Sequence, residues 1–255
     1  MWRGYIFSEN SRENKLTPWS NDPVIDPIYE TIFIRDDETG DIFTVTPKPI
    51  RHQSEYVITY GTGYVRYKHQ HNGLIGELNC FVPKDDMLKI SLLNLKNTSN
   101  TRRKLSIFYY IKPVMGVTNF LTNQFIVSQF DSKLNSFIFK NSYNTDFPNR
   151  LMFITSSEKI VSYTGNLNEF LQDENRLDTP EGLNYETLSN TVGAGFNPCS
   201  IVQIKLTIEE NQEKEISLLL GSCLNYEDLN NIIENYKDVG NCRKNLMKLY
   251  LCGIN

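Results

Sequence analysis

A chain of 255 residues with 40% apolar and 12% aromatic side chains has enough material to bury a full core. Its formal charge of −4, its isoelectric point near 5.5 and its scattered basic residues exclude a nucleic-acid surface as the main feature and favour an uncharged or weakly charged ligand. Five cysteines (Cys80, Cys199, Cys223, Cys242, Cys252) form no Cys-x-x-Cys pair, no apolar run approaches the ~20 residues of a membrane span, and Met1 to Tyr5 lacks a signal-like apolar stretch, so a cytoplasmic protein without disulfides or zinc is expected.

The first informative run extends from Ser8 to Pro23 and mixes amides with one arginine and one tryptophan. Asn10, Arg12, Asn14 and Trp19 are candidate carbohydrate-binding residues. Sugar hydroxyls need bidentate polar partners, and the apolar face of a sugar ring stacks on an aromatic. The same run also reads as a polar loop anchored by one tryptophan, and the residues alone favour that plainer view. Asp36 to Asp41 reads as a turn with Gly40 at positive φ, because the remaining ligands of a calcium loop are missing.

From about Tyr56 to Gly221 short apolar or alternating runs are bounded by Gly, Pro, Asn and Asp, the pattern of strands joined by turns. Gly61-Thr62-Gly63 lacks the third glycine and the helix of a dinucleotide fingerprint and is expected to be a turn before a strand. In that strand Tyr64, Arg66 and Lys68 share one face, and Val65, Tyr67 and His69 the other. Tyr64 and Arg66 join the carbohydrate-binding candidates. His69 and His71 share a face and could ligate a metal, but no cysteine or carboxylate constellation accompanies them, so they are read as a structural pair and no metal is assigned.

Further strands are expected over Glu77–Val82, Leu88–Leu95 and Lys104–Ile111, the last two forming a hairpin whose tip carries a solvated Thr101-Arg102-Arg103-Lys104 cluster. Asn135–Lys140, Leu151–Ser156, Ser200–Ile208 and Glu215–Leu220 repeat the design, while Gln172–Ser189 reads as a long surface loop. Asn225 caps a helix that carries Asp228, Leu229, Ile232, Ile233 and Tyr236, and a second helix is expected over Arg243–Leu251. Strands with no intervening helices predict a mainly β, antiparallel sandwich in one domain with a short C-terminal helical segment. No Gly-x-Ser-x-Gly, P-loop or Cys/His nucleophile is present, and a carboxylate pair cannot be chosen from spacing, so no catalytic residue and no cofactor is assigned.

Several segments together carry a resemblance: Asn10-Ser-Arg-Glu-Asn-Lys-Leu-Thr-Pro-Trp-Ser-Asn-Asp-Pro-Val24, Arg35-Asp-Asp-Glu-Thr-Gly40, Thr46-Pro-Lys-Pro-Ile50, Gly61-x-Gly-Tyr-x-Arg66 with His69, Phe81-Val-Pro-Lys-Asp-Asp86, Thr101-Arg-Arg-Lys-Leu-Ser106, Thr164-Gly-Asn-Leu-Asn-Glu-Phe-Leu171 and Gly193-Ala-Gly-Phe-Asn-Pro-Cys199. In order and content they resemble glycoside phosphorylases of the cellobiose phosphorylase type and, in particular, the C-terminal region of cyclic β-1,2-glucan synthases. The resemblance implies an antiparallel β-supersandwich (galactose mutarotase-like) over residues 1–238 and the start of a helical linker at 239–255, with the (α/α)6-barrel and its general acid beyond the chain. It implies a noncatalytic carbohydrate-binding or structural domain of an enzyme performing inverting glycosyl transfer to phosphate. The implied partners are a glucan or oligosaccharide, a homodimer mate or a helical catalytic domain, and inorganic phosphate only in the full-length enzyme. A stand-alone carbohydrate-binding module and an inactive gene fragment are the alternatives, the latter because both ends fall inside structure that the family pattern expects.

Overall fold

The computed structural model describes residues 5–22, 24, 27–172 and 176–252; residues 1–4, residues 173–175 of the expected loop and the side chain of Cys252 lie outside the described part. In chain order the elements are β1 (Glu30–Asp36), β2 (Ile42–Phe43), β3 (Tyr56–Gly61), β4 (Tyr64–His71), β5 (Leu74–Phe81), β6 (Leu88–Asn97), β7 (Arg103–Ile111) and α1 (Asn119–Thr122). They continue with β8 (Val127–Asp131), β9 (Ser136–Lys140), β10 (Leu151–Ser156), β11 (Ile160–Asn166), α2 (Leu167–Phe170), β12 (Pro198–Ile208), β13 (Glu213–Cys223), α3 (Tyr226–Tyr236) and α4 (Val239–Cys252). The strands form a five-stranded sheet, β11-β12-β7-β1-β2, and an eight-stranded sheet, β3-β4-β5-β6-β13-β10-β9-β8, and every pairing between named strands is antiparallel.

Alternation along each strand divides the apolar residues among three cores. Ile32 and Ile34 of β1, Ile107 and Tyr109 of β7, Val202 and Ile204 of β12, Leu93 of β6 and Leu218 of β13 meet between the sheets. The opposite faces are covered as well. On the eight-stranded sheet, Ile90, Leu92, Phe153 and Leu219 lie beneath Leu229, Tyr236, Cys242 and Leu246 of the C-terminal helices. On the five-stranded sheet, Phe33, Phe108, Tyr110 and Ile201 lie beneath Phe170, Leu183 and Leu188. Strands buried on both sides read as nearly continuous apolar runs, as in Leu105-Ser106-Ile107-Phe108-Tyr109-Tyr110-Ile111. At ~1.5–3 kcal/mol per fully buried large side chain, these layers supply most of the driving force for folding.

Three sequence expectations change. First, β6 and β7 are not a hairpin: β6 pairs with β5 and β13 in one sheet, and β7 with β1 and β12 in the other. The 97–102 turn is therefore an arch across the core, and the 209–212 turn between β12 and β13 is a second arch beside it. Asn97, completely buried, holds the two together. Its Nδ2 donates to the carbonyls of Thr101 (2.7 Å), Ile208 (3.2 Å) and Glu209 (3.1 Å), and its Oδ1 accepts from the Ser99 N–H and hydroxyl. Two-sided apolar strands on either side of a polar turn look the same in sequence whether the connection is a hairpin or an arch.

Second, the basic cluster is not wholly solvated, since Arg103 pairs with Asp36 and donates to the Asn72 carbonyl. Third, the described part of the 172–189 segment is packed rather than loose. It forms a 3-10 turn at Glu181–Asn184 that buries Leu183, and Arg35 Nη1 donates to the carbonyls of Leu183 (2.5 Å) and Tyr185 (2.6 Å). The predicted helices form as α3, with Asn225 Oδ1 accepting from the Asp228 N–H at 2.9 Å, and as α4. The Asp36–Asp41 turn carries Gly40 at φ +74°, and among the described residues no helix is long and apolar enough to cross a membrane.

Candidate functional site

The five-stranded sheet ends at the two-residue β2, whereas the eight-stranded sheet continues through β5, β4 and β3. The inner faces of β4 and β5 are met at one end by β2 and the residues after it, where Phe43 lies 5.2 Å from His71 and Val45 packs on Gly76, and elsewhere by the N-terminal segment. That segment is clipped in place: the Leu16 N–H donates to the Ile6 carbonyl (2.7 Å), the Ile6 N–H to Thr17 Oγ1 (2.9 Å), and Lys15 bridges to Gly116. The space left between them is a cavity of about 870 Å³. Tyr5, Phe7, Tyr60 and Tyr64 stand along its lining, and Val65, Tyr67, Leu78 and Cys80 form the β4–β5 wall. Lys84, Asp85 and Asp86 contribute from the turn before β6, and Glu30, Lys89 and Ser91 from the strands.

Glu30, Lys89 and Tyr109 form a hydrogen-bonded cluster between the sheets. Lys89 Nζ lies 2.5 Å from one Glu30 oxygen, and the Tyr109 hydroxyl donates to the other at 2.7 Å. Burial opposes the charge on Lys89, but the adjacent Glu30 carboxylate outweighs it and holds the ammonium above its ordinary pKa. Burial, reinforced by Glu30, pushes the Tyr109 phenol well up, and burial also raises the Cys80 thiol, whose sulfur sits 3.6 Å from Ser91 Oγ. At neutral pH the cluster is an ion pair with a neutral phenol and a neutral thiol beside it. It offers hydrogen bonds rather than a nucleophile.

Of the six residues selected from sequence, Tyr64 borders the cavity but packs its ring edge-on against Tyr250 of α4 at 4.6 Å, and Trp19 stands edge-on to Tyr5 at 6.4 Å, itself 57% exposed. Asn10 organises a turn, its Oδ1 accepting from the N–H groups of Arg12 (2.8 Å) and Glu13 (2.9 Å). Arg12 is solvent-exposed beside Glu13, and Asn14 is buried with its amide on the Ser8 carbonyl at 3.0 Å. Arg66 lies on the face beneath α4, where Nη2 meets the Tyr250 hydroxyl at 2.6 Å and Nε the Asn79 Oδ1 at 3.1 Å. Tyr250 is the main reason that its guanidinium is held above its usual pKa. The structure thus separates the amide-bearing turn, the tyrosine-lined cavity and the Arg66 contact with α4. Lys89 was missed because a single charge in an alternating strand looks like a solvent-facing position until the opposing sheet is known, and Glu30 because its charge-rich segment did not read as a strand at all.

His69 and His71 are joined by His52, the third histidine of the chain. The rings cluster, with His52 and His71 centroids 3.8 Å apart and tilted by 34°, and Tyr56 stacked parallel to His69 at 3.7 Å. His71 Nε2 lies 2.7 Å from Asp41, and His69 Nδ1 lies 3.0 Å from the Glu55 carbonyl. Among the described residues no group of three or more His, Cys, Asp or Glu is arranged to hold a metal ion.

Two antiparallel sheets packed face to face, with both outer faces covered and a cavity left where one sheet outruns the other, define a large β-domain of the supersandwich class. The chain belongs to the glycosyl hydrolase 94 supersandwich domain family, whose signature matches residues 3–239. It is 28% identical over 232 residues to a cyclic β-(1,2)-glucan synthase of Rhizobium meliloti, covering 90% of this chain and 8% of that protein. It is 23% identical over 225 residues to an N,N'-diacetylchitobiose phosphorylase of Vibrio furnissii, covering 86% of this chain and 28% of that one. The chain therefore spans less than a third of the length of these relatives. In fold it is similar to a bacterial glucoamylase solved with acarbose, with a TM-score of 0.55 at 9% identity, over 87% of this chain and 31% of that one.

Proposed function

We propose that this chain is the noncatalytic, carbohydrate-binding sandwich domain of a glycoside phosphorylase or cyclic β-1,2-glucan synthase, and that it holds a saccharide in the cavity beside β4 and β5. Inverting transfer to phosphate is the work of residues outside the chain in this proposal. The observation that carries it is the lining: three tyrosines, Tyr5, Tyr60 and Tyr67, share the cavity with paired acidic and basic groups. Tyrosine faces take the C–H faces of a pyranose, and a few convergent polar groups take its hydroxyls. Calorimetric titration with β-1,2-linked gluco-oligosaccharides should give saturable heat. Tyr60→Ala, at an exposed position, should weaken it by up to about tenfold. No heat at millimolar saccharide, or full affinity in that variant, defeats the proposal.

A further inference from the structure

Resting on the cavity being the saccharide site, we infer that it is matched to uncharged sugars, and that the Glu30–Lys89 pair is what turns away phosphorylated and other anionic ones. Lys89 lies on β6 with Ser91, on the face turned towards the other sheet, and both residues line the cavity. Its ammonium has three N–H donors, and Glu30 accepts one of them. Glu30 has both oxygens engaged, one by Lys89 and one by the Tyr109 hydroxyl.

As a unit the pair is neutral, yet it keeps donors for a hydroxyl or ether oxygen. A phosphate entering the cavity would shed its water to meet a cation that is already neutralised, so its desolvation would go uncompensated. The wider lining points the same way, since its three lysines (Lys48, Lys84 and Lys89) are outnumbered by four carboxylates, Glu30 among them. The raised pKa of Lys89 keeps its ammonium charged at neutral pH.

The test is calorimetric titration of the 255-residue chain with sophorose, glucose 1-phosphate and inorganic phosphate. The wild type should bind the disaccharide at least about tenfold more tightly than either anion. Glu30→Gln unmasks Lys89 and should raise affinity for both anions by about tenfold or more, and the double variant Glu30→Gln/Lys89→Met should abolish that gain. Lys89→Met alone should lose about tenfold for the disaccharide, which keeps the inference testable if an unpaired cation prevents Glu30→Gln from folding. Equal binding of phosphate and disaccharide by the wild type, a folded Glu30→Gln without anion gain, or undiminished disaccharide binding by Lys89→Met overturns it. A wild type that binds no sugar, beside a Glu30→Gln that captures phosphate, removes the saccharide proposal and leaves the charge matching standing.

Discussion

Replacing Arg35 by Met keeps an aliphatic stem over Phe108, whose ring lies 5.3 Å from the guanidinium, but removes every polar contact of the head group. Those contacts are Nη1 to the Leu183 and Tyr185 carbonyls, Nε to Asp37 Oδ1 at 2.8 Å and Nη2 to Ser106 Oγ at 3.3 Å. Each charge-assisted bond to a carbonyl is worth ~1.5–3 kcal/mol, so the two carbonyl contacts alone amount to roughly 3–6 kcal/mol. The segment that follows α2 can lift away and rehydrate those carbonyls, which caps the loss at the cost of local opening; about 3 kcal/mol is expected. Gln203 Nε2 on the Glu186 carbonyl and Ser162 Oγ on the Leu188 N–H would remain as weaker ties. Urea unfolding gives the global loss, and digestion with a glutamate-specific protease should show new early cleavage at Glu181 and Glu186. A loss under ~1 kcal/mol with unchanged cleavage would refute the anchoring role of Arg35.

Stability should also depend on pH through His69. Burial first, then the neighbouring His71 and His52, hold its folded pKa below the ordinary value near 6.5, so the unfolded chain binds a proton that the folded chain does not. Stability is then fully present above about pH 7 and declines as pH falls through 6.5 towards the folded pKa. Thermal melts between pH 7.5 and 5.5 should show that slope, and His69→Gln should flatten it; an unchanged slope argues against the histidine. Tyr250→Phe should cost about 1 kcal/mol and speed amide exchange in α4, because Arg66 loses its 2.6 Å partner there. Asn10→Ala should cost about 1 kcal/mol through its turn, whereas Arg12→Ala should change stability by less than ~0.5 kcal/mol. A drop in saccharide affinity with Arg12→Ala would draw that turn into the binding site.

Where a signal was local, the sequence was enough. Leu151–Ser156 alternates between two cores and forms a strand with those bounds, and Asn225 caps α3 through its own side chain. β1 was not legible as a strand: it holds Glu30, Thr31, Arg35 and Asp36 within seven residues, and its charges are absorbed by partners that only the fold supplies, Lys89, Leu183, Tyr185 and Arg103. The cavity was half legible. Tyr64 could be selected by its place in a strand after a glycine turn, but the cavity it borders is assembled from residues as far apart as Tyr5 and Leu220. Arg66 had the chemistry of a ligand contact and spends it on Tyr250, 184 positions away in sequence.

The paired arches set a kinetic condition on how this domain can form. β6 must find β13, with Leu88 opposite Gly221 and Lys96 opposite Glu213, and β7 must find β12, with Arg103 opposite Ile208. These pairings close loops of about a hundred residues, the kind of long-range contact that slows folding to milliseconds or seconds. On a ribosome, β12, which joins β7 to β11, and β13, which joins β6 to β10, are missing until residues 198–223 emerge, so those four earlier strands wait with bare edges. Asn97 acts then as a gauge of alignment: only when the second arch arrives in register do the Ile208 and Glu209 carbonyls reach its amide, and a slip of one residue leaves that buried amide with the Thr101 carbonyl of its own arch alone.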